Sequence, residues 1–472
     1  MVNKNEHHAV VGAGLIGGLW ALLLAQRGYK VTLYDRRPDP RKAGVDAGRS
    51  INLALSDRGW RAMEKAGVDE VVRKIALPVK GRMMHDLEGN QFFQQYGNDD
   101  QFIYSVSRGG LNMLLVEEAE KHPLVDVKFD YPCSGYKLND DGLVSVEFKD
   151  GSSIVHDRLF GTDGVYSAVR STMIKIDRFN YTQQYIPHGY KEILMLPSDD
   201  GDYRIAENGL HIWPRGQFMF MALPNPGGSF TCTLFAPFEG EDSFERIQSD
   251  EDVLNFYKKH FPDSLDMLPN LIEDWNQNPV SSMCTVKCFP WNDGGRVALL
   301  GDSAHAIVPF YGQGMNCGFE DCSILSELID GLPKNASNSN WSSILDEYSI
   351  IRKPAADAIL DLALHNYIVM RDKTGDRKYQ LQKKIEARIT EAYPDKWKPL
   401  YSLVTFSHTS YDEALKRGNL QQAVMNFVMS QSDIESIWES EKIIELAINT
   451  LEKYQSDPNT LARPKPLLDV DV

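Results

Sequence analysis

Apolar and polar positions near the N-terminus follow the order strand, turn, helix, strand. A β-type apolar run at 8–11 is followed by small residues, and an apolar stretch at 15–26 has the length of a buried helix. Gly28 follows as a helix-terminating residue, and a second β-type run, KVTLYD, ends at Asp35. This order predicts one βαβ unit at the start of the chain.

The turn in this unit carries a G-x-G-x-x-G pattern at Gly12, Gly14 and Gly17. The first glycine of such a turn allows the tight bend, the second lets a pyrophosphate approach the backbone, and the third lets helix and strand pack closely. The helix N-terminus at Leu15 favours an anion. Asp35 is placed to accept hydrogen bonds from ribose hydroxyls and to repel a 2′-phosphate, so the pattern predicts FAD or NAD rather than NADP.

A second small-residue loop, GDSAHAIVPFYGQG, covers 301–314. Its pattern predicts a strand at 296–300, an acidic turn at Asp302 that can hold ribityl hydroxyls, and a helix beginning near Gln313. The amides at the start of that helix can face a pyrophosphate or the flavin carbonyls. Two such loops, far apart in sequence, suit a long dinucleotide, which favours FAD.

A third segment, LFGTDGVYSAVR at 159–170, predicts a strand, a turn with Asp163 and a helix capped by Ser167. Taken singly, these residues have structural interpretations. Asp302 is then a turn former and the Asp163-Gly164 pair a hairpin turn. The dinucleotide interpretation depends on their occurring together with the first loop.

The remainder of the chain has two further patterns. Residues 187–289 contain aromatic and β-rich runs such as HIWPRGQFMFMALPN, which predict an antiparallel sheet, and residues 351–460 have helical spacing. We therefore expect an α/β fold with a Rossmann-like FAD-binding domain, an antiparallel β-sheet substrate domain and a C-terminal helical region. The expected boundaries are 1–75, 100–180 and 290–350 for the FAD-binding domain, 76–99 and 181–289 for the substrate domain, and 351–472 for the helical cap.

Composition limits the partners. The net charge of −16 argues against nucleic acid and anionic lipid, which need clustered Lys and Arg, so a small-molecule ligand is expected. The expected assembly is a monomer or a homodimer, a choice that the sequence does not decide. The six cysteines include no Cys-x-x-Cys pair, so we expect reduced thiols and no metal site. The apolar stretch at 9–25 is shorter than about 20 residues and contains four glycines, which favours a nucleotide-binding helix over a membrane span.

The three motifs together are typical of one protein family. The G-x-G-x-x-G at Gly12, the Asp-Gly pair at Asp163 and the G-D-x-x-H-x-x-x-P segment from Gly301 to Pro309 resemble those of the single-component flavin-dependent aromatic hydroxylases, the group A monooxygenases. The resemblance implies FAD as bound cofactor, NADPH as a transient co-substrate and O2. The implied cofactor contacts are Gly12, Gly14, Leu15, Gly17, Asp35, Arg36, Leu55, Arg108, Asp163, Asp302, Pro309, Gly312, Gln313, Gly314, Met315 and Asn316.

Arg108 corresponds to the arginine that the family carries on the helix after the first crossover. It lies in SRGGLNMLL, where the two glycines that follow it are unfavourable at a helix start. The sequence therefore does not fix the residue at which this helix begins.

Further segments resemble the branch of this family that hydroxylates L-kynurenine in tryptophan degradation and NAD biosynthesis. These segments reach across most of the chain and include GRMMHD at 81–86, LHIWPRG at 210–216, VPFYGQGMN at 308–316, LHNYIVM at 364–370 and LYSLVTFS at 400–407. The resemblance implies that reduced flavin and O2 form a C4a-hydroperoxide, which delivers oxygen to the ring carbon beside the aniline amine and gives 3-hydroxy-L-kynurenine. Because the flavin carries this chemistry, no catalytic side chain is expected.

An amino-acid substrate has an α-carboxylate, for which a bidentate arginine is the best partner. The resemblance assigns this role to Arg82, with Tyr96, Tyr401 and Asn366 as further polar contacts. The implied apolar contacts are Pro309, Phe310, Tyr311, Leu210, Met221, Leu223, Phe235 and Met370. Arg82 is equally explained by a surface ion pair, and the tyrosines by amphipathic core positions.

Two other functions suit the same fold. One is a flavin hydroxylase of another aromatic substrate, and the other is a non-catalytic carrier like the GDP-dissociation inhibitors, which needs no flavin. Membrane-bound relatives carry an apolar C-terminal anchor, whereas this chain ends in the polar RPKPLLDVDV, so no anchor and a cytoplasmic location are expected.

Overall fold

The computed structural model describes residues 6–42, 51–97, 100–369 and 377–456. One six-stranded sheet, with strands drawn from residues 7 to 299, has the order β18-β19-β12-β1-β2-β8. These strands are Asn292–Asp293 (β18), Val297–Leu299 (β19), Arg158–Gly161 (β12), His7–Val11 (β1), Lys30–Tyr34 (β2) and Val125–Lys128 (β8). All neighbours pair in parallel except β18 and β19. Parallel pairing around β1 is the arrangement that the βαβ pattern predicts.

Helices pack against the sheets and form the described part of the chain after residue 338. The helices up to the middle of the chain are α1 (Leu15–Gln26), α2 (Asp57–Ala66), α3 (Asp69–Arg73), α4 (Arg108–Glu120), α5 (Ala168–Met173), α6 (Asp250–His260) and α7 (Leu271–Gln277). Those after it are α8 (Gly314–Asp330), α9 (Asn338–Ile368), α10 (Arg377–Ala392), α11 (Leu400–Thr405), α12 (Tyr411–Met429), α13 (Ile434–Ile437) and α14 (Glu441–Ser456). Helix α1 is buried over most of its length, which explains why its sequence is almost uniformly apolar rather than amphipathic.

A seven-stranded sheet contains the aromatic and β-rich runs, in the order β17-β13-β16-β15-β14-β5-β6. Its strands are Ser281–Phe289 (β17), Asn180–Met195 (β13), Phe230–Pro237 (β16), Phe218–Pro224 (β15), Gly209–Arg215 (β14), Gly81–His85 (β5) and Gln91–Gln95 (β6). Pairing is antiparallel except between β14 and β5, where a strand from early in the chain joins the sheet in parallel. One face of this sheet packs against α6 and α7 in a second apolar core.

Two three-stranded sheets complete the β structure. One has the order β3-β7-β4, with β3 at Asn52–Leu55, β7 at Ile103–Ser107 and β4 at Leu77–Val79. The other has the order β11-β10-β9, with β11 at Ser153–His156, β10 at Val144–Phe148 and β9 at Cys133–Leu138. This mixture of parallel sheet, antiparallel sheet and helices confirms the predicted α/β class.

Helix α9 crosses the boundary expected between residues 350 and 351, because it runs without interruption from Asn338 to Ile368. The C-terminal helices thus continue directly from the part that contains the parallel sheet. Among the helices of the described ranges, none combines the length and apolar character needed to cross a membrane.

Candidate functional site

The first glycine loop lies between β1 and α1. Gly12 has a φ of +105°, and its N–H donates to the carbonyl of Tyr34 at 2.7 Å. A Cβ on Gly17 would lie 1.9 Å from the carbonyl oxygen of Gly12, whereas a Cβ on Gly14 would meet no atom within 4 Å. The turn is therefore closely packed at Gly17 and open at Gly14, just before Leu15 begins the helix. An opening at a helix N-terminus is where a phosphate can approach the backbone.

Asp35 follows β2 and is 5% exposed. Its carboxylate accepts hydrogen bonds from the backbone N–H of Ala13 at 2.8 Å and from the backbone and guanidinium of Arg37 at 2.8 to 2.9 Å. Burial raises the pKa of Asp35, but Arg37 and these hydrogen bonds outweigh burial and keep the pKa below its usual value. The acid is therefore ionised beside the glycine loop, while the neighbouring Arg36 is exposed.

Asp302 lies in a short 3-10 turn directly after β19. Burial raises the pKa of Asp302, and the nearby charges of Arg108 and His305 oppose this effect. Arg108 is exposed and begins α4, where the side chain of Ser107 accepts a hydrogen bond from Gly110 at 3.3 Å. This cap explains how a helix starts ahead of two glycines. Within the described residues neither the Asp302 side chain nor the Arg108 side chain has a hydrogen-bond partner, so both side chains are available to a ligand.

The second loop turns into α8 at Gly312, whose φ is +67°. The buried Gln313 is the N-cap residue, and its side-chain Oε1 accepts a hydrogen bond from Tyr411 Oη at 2.9 Å. Gly314 and Met315 form the first turn of α8. The predicted helix start near Gln313 is confirmed, and the N-terminus of α8 offers backbone N–H groups like those of α1.

Three of the expected cofactor contacts are occupied by interactions within the chain. The Asp163 carboxylate accepts hydrogen bonds from Ser167 Oγ at 2.5 Å and from the backbone of Ala168 at 2.7 Å, at the start of α5. Asn316 uses its amide to bond the backbones of Ser56, Ala54 and Gly312 at 2.8 to 3.0 Å. Leu55 is fully buried in the core. The structure gives these three residues a role in holding the loops in position.

Four of the residues expected to bind the substrate lie close together: Arg82, Tyr96, Tyr311 and Tyr401. The guanidinium carbon of Arg82 lies 4.9 Å from the ring centre of Tyr401 and 5.5 Å from that of Tyr96. Tyr401 is stacked between Tyr96, at 5.2 Å, and Tyr311, at 5.7 Å. Within the described residues Arg82 forms no ion pair, and Tyr96 Oη is buried without a hydrogen-bond partner. A positive charge is therefore left for a ligand, and the Tyr96 hydroxyl lies close to Arg82 and Tyr401.

An apolar wall lies beside this cluster. Strand registers pair Leu210 with Arg82 and Ile212 with Met221, so Leu210, Leu223 and Met221 share the sheet face that carries Arg82. Leu223 and Leu210 pack with Tyr96 in a small core. The wall and the arginine are thus neighbours on one surface.

Phe310 links the second loop to this wall. Its ring centre lies 5.0 Å from that of Phe235 and 4.3 Å from that of Tyr367, and its carbonyl accepts a hydrogen bond from Asn366 Nδ2 at 2.6 Å. Pro309, which precedes it, is exposed. Met370 lies outside the described residues.

Arg82 is the charged member of this cluster, and Lys383, which pairs with Glu386 at 2.7 Å, lies near it. Burial raises the pKa of Tyr96 and of Tyr401 above the usual value, and it does the same for Tyr311. The three phenols therefore stay protonated at neutral pH and can donate hydrogen bonds, while Arg82 remains cationic. A cation with neutral donors is suited to a carboxylate.

Several residues of this region were not predicted from the sequence. Phe406 contacts Tyr401 at 6.0 Å and Tyr96 at 6.3 Å between ring centres, and Tyr367 covers Phe310. A buried network of Arg58, Glu320, Arg352, Asp321 and His305 lies behind the second loop. Aromatic spacing around LYSLVTFS is a signal for Phe406, but nothing local in the sequence signals the buried charges.

The described residues suit FAD. The opening at Gly14 admits a pyrophosphate, and Asp302 and Arg108 are polar groups without partners near the second loop. The N-termini of α1 and α8 supply donors for anionic or carbonyl groups. In agreement with this geometry, a family model described as FAD binding domain matches residues 7–363.

Relatives named kynurenine 3-monooxygenase are similar to nearly the whole chain. The protein from Christiangramia forsetii is 44% identical over 454 residues, which cover 96% of this chain and all of the relative. That from Anopheles gambiae is 41% identical and covers 91% of this chain and 88% of the relative. That from Sus scrofa is 42% identical and covers 89% of this chain and 88% of the relative.

Solved structures share the fold at low identity. The tetrameric form of 2-methyl-3-hydroxypyridine-5-carboxylic acid oxygenase has a TM-score of 0.64 and 19% identity, covering 80% of this chain and 96% of its own. Pseudomonas aeruginosa PqsL, solved with 2-aminobenzoylacetate, has a TM-score of 0.63 and 19% identity, covering 78% and 97%. From the matched family model and the relatives at 41 to 44% identity, this chain belongs to the FAD-binding kynurenine 3-monooxygenase family.

Proposed function

We propose that the protein hydroxylates L-kynurenine to 3-hydroxy-L-kynurenine, with FAD as bound cofactor and NADPH and O2 as co-substrates. The observation that carries the proposal is the half-buried guanidinium of Arg82, which has no ion pair within the described residues. It lies beside the stacked rings of Tyr96, Tyr401 and Tyr311, with an apolar wall on the same sheet face. Relatives of the same name support the choice of substrate over another aromatic compound.

The FAD would be held at both loops. Gly12, Gly14 and the N-terminus of α1 would take the pyrophosphate, with Asp35 beside the ribose. Asp302 would accept hydrogen bonds from ribityl hydroxyls, and Arg108 and the N-terminus of α8 would serve the remaining polar groups. When bound and reduced by NADPH, the flavin supplies the activated oxygen from O2. The segments 1–75, 100–180 and 290–350 would form this cofactor domain.

The protein's own residues would bind, orient and exclude water. The forked donors of Arg82 would hold the α-carboxylate in a bidentate pair, and Tyr96 and Tyr401 would add hydroxyl donors. Leu210, Met221, Leu223 and Phe235 would pack against the substrate's aromatic ring. Asn366 donates to the carbonyl of Phe310, and this contact would fix the loop 309–313 beside that ring.

No acid–base residue is needed by this arrangement. The rings that contact Arg82 are protonated phenols, and the wall beside them is apolar, so these groups would supply position and a dry environment rather than proton transfer. A carrier without cofactor would not need the opening at Gly14 or the unpartnered Asp302 and Arg108. These features favour the enzyme over the carrier.

The direct test is aerobic NADPH consumption by the purified flavoprotein with and without L-kynurenine, with the product separated by chromatography. We expect faster NADPH oxidation and an equivalent amount of 3-hydroxy-L-kynurenine. Peroxide without hydroxylated product would mean that kynurenine binds but is not the substrate. If kynurenine changes neither NADPH oxidation nor product formation, it is not the substrate of this protein.

A further inference from the structure

We propose that Arg58 and Tyr411 are positioning residues that couple the segment after Tyr401 to the side chain of Gln313, and thereby make flavin reduction respond to substrate. This inference rests on the proposed function. It adds two residues whose hydrogen bonds and ring contacts, within the described residues, reach neither the substrate cluster around Arg82 nor the first glycine loop.

Arg58 stands at the centre of the arrangement. It is 1% exposed, and its guanidinium reaches three separate elements. It donates to the carbonyl of Val404 at 3.1 Å, to the carbonyl of Thr409 and to the carboxylate of Glu320. Two of these carbonyls flank the segment that follows Tyr401, so a single side chain fixes the path of that segment.

Tyr411 extends this contact to the second loop. The guanidinium carbon of Arg58 lies 3.9 Å from the ring centre of Tyr411, which is fully buried at the start of α12. Its hydroxyl donates to Gln313 Oε1 at 2.9 Å. Gln313 is the N-cap residue of α8, the helix end proposed to face the flavin. The C-terminal end of the second loop is therefore held by α12.

The N-terminal end of the loop is held by the same network. Glu320 also binds Arg352 at 2.5 Å, and Arg352 binds Asp321 at 2.7 Å. Asp321 accepts hydrogen bonds from the backbone of Gly301 at 2.9 Å and from His305 at 2.6 Å. The contacts thus form a closed ring that begins and ends on the loop 301–313 and passes through Arg58.

Substrate binding would act on this ring of contacts through Tyr401. Tyr401 belongs to α11, which ends at Thr405, and Arg58 grips the carbonyls of Val404 and Thr409 on either side of that end. A ligand carboxylate that draws the Tyr401 hydroxyl toward Arg82 would move α11. Rigid, hydrogen-bonded contacts would then pass that movement through Arg58 and Tyr411 to Gln313.

The test uses Tyr411→Phe in the FAD-loaded enzyme, because it removes one hydroxyl and keeps the ring under Arg58. The measurements are the affinity for L-kynurenine, the change in flavin absorbance that the ligand causes, and the anaerobic rate of flavin reduction by NADPH with and without ligand. We expect the ligand's acceleration of reduction to fall about five- to tenfold, the size of one buried hydrogen bond. The absorbance change should shrink, and affinity should change less than about twofold.

The matched control is Tyr136→Phe, which removes the hydroxyl of another buried tyrosine, on β9, that donates to Asp293 on β18 at 2.7 Å and is not part of the ring of contacts through Arg58. It should leave acceleration and absorbance change as in the wild type. Gln313→Leu and the double variant complete a cycle, and their losses should not add, since Tyr411 acts through Gln313. Additive losses, or weaker affinity with unchanged acceleration in Tyr411→Phe, would overturn the inference. A wild type that does not respond to kynurenine would instead refute the proposed function.

Discussion

Replacing Arg82 by lysine separates its charge from its shape. Lysine keeps a cation beside the rings of Tyr96 and Tyr401, but it cannot offer two parallel N–H donors to one carboxylate. If the pair is bidentate, the change removes about one charge-assisted hydrogen bond in a half-buried site. Such a bond contributes about 1.5 to 3 kcal/mol, so the dissociation constant of L-kynurenine should rise about 10- to 150-fold.

The assay is titration of flavin absorbance with L-kynurenine and with its analogue that lacks the α-carboxylate. Wild type should bind the analogue weakly. Arg82→Lys should bind it about as well as wild type does, because an analogue without the α-carboxylate cannot use the two N–H donors of arginine. The control Arg61→Lys changes an exposed arginine paired with Glu327 at 2.6 Å and should leave both affinities unchanged.

Equal weakening for both ligands would contradict a contact between Arg82 and the α-carboxylate. Arg82 would then support the packing of Tyr96 and Tyr401 without contacting the carboxylate. The ratio of FAD to protein must stay at the wild-type value, since loss of flavin would show that the substitution disturbs the cofactor site.

Two further predictions concern the cofactor loops. Gly17→Ala should fail to fold stably because its Cβ would lie 1.9 Å from the carbonyl of Gly12, whereas Gly14→Ala should fold but lose FAD on gel filtration; equal melting temperatures of the two apoproteins would contradict this. Burial lowers the pKa of His305, but Asp321 outweighs burial and raises it well above 6.5, so the stability from ionised His305 is complete below about pH 6.5 and is lost as pH rises through the raised pKa. The melting-temperature advantage of wild type over His305→Asn should therefore shrink from about pH 6 to about pH 9, and an unchanging difference would argue against an ionised His305.

The local elements around both loops could be predicted from the sequence because their signals are local. The helix at 15–26 and the start of α8 at Gln313 depend on glycine placement and apolar runs, which act over a few residues. The same holds for the Ser167 cap of α5, where Oγ accepts from the Arg170 backbone at 2.9 Å. The parallel pairing of β14 with β5 has no such signal, because it joins strands more than a hundred positions apart.

Whether a polar side chain in the site already has a hydrogen-bond partner within the chain could not be predicted. Asp302 and Asp163 have the same side chain and both follow a strand of the parallel sheet, yet one is without a partner in the described residues and the other bonds the start of α5. Whether a carboxylate is free depends on backbone N–H groups brought near it by the tertiary fold. Sequence patterns give the residue type and omit this information.

The two arginines on which the proposals depend show why that difference matters for function. Arg82 has no ion pair within the described residues and is proposed to bind a ligand, whereas Arg58 has donors committed to three elements between 262 and 351 positions away in sequence. A buried ion network of this kind is weak evidence for stability, since apolar replacements of such networks are often neutral or stabilising. Its distinct contribution is geometric, because a planar fork with several partners fixes their relative orientation. We therefore expect the value of Arg58 to lie in relating the substrate cluster to the flavin loop, a property that a stability measurement alone would miss.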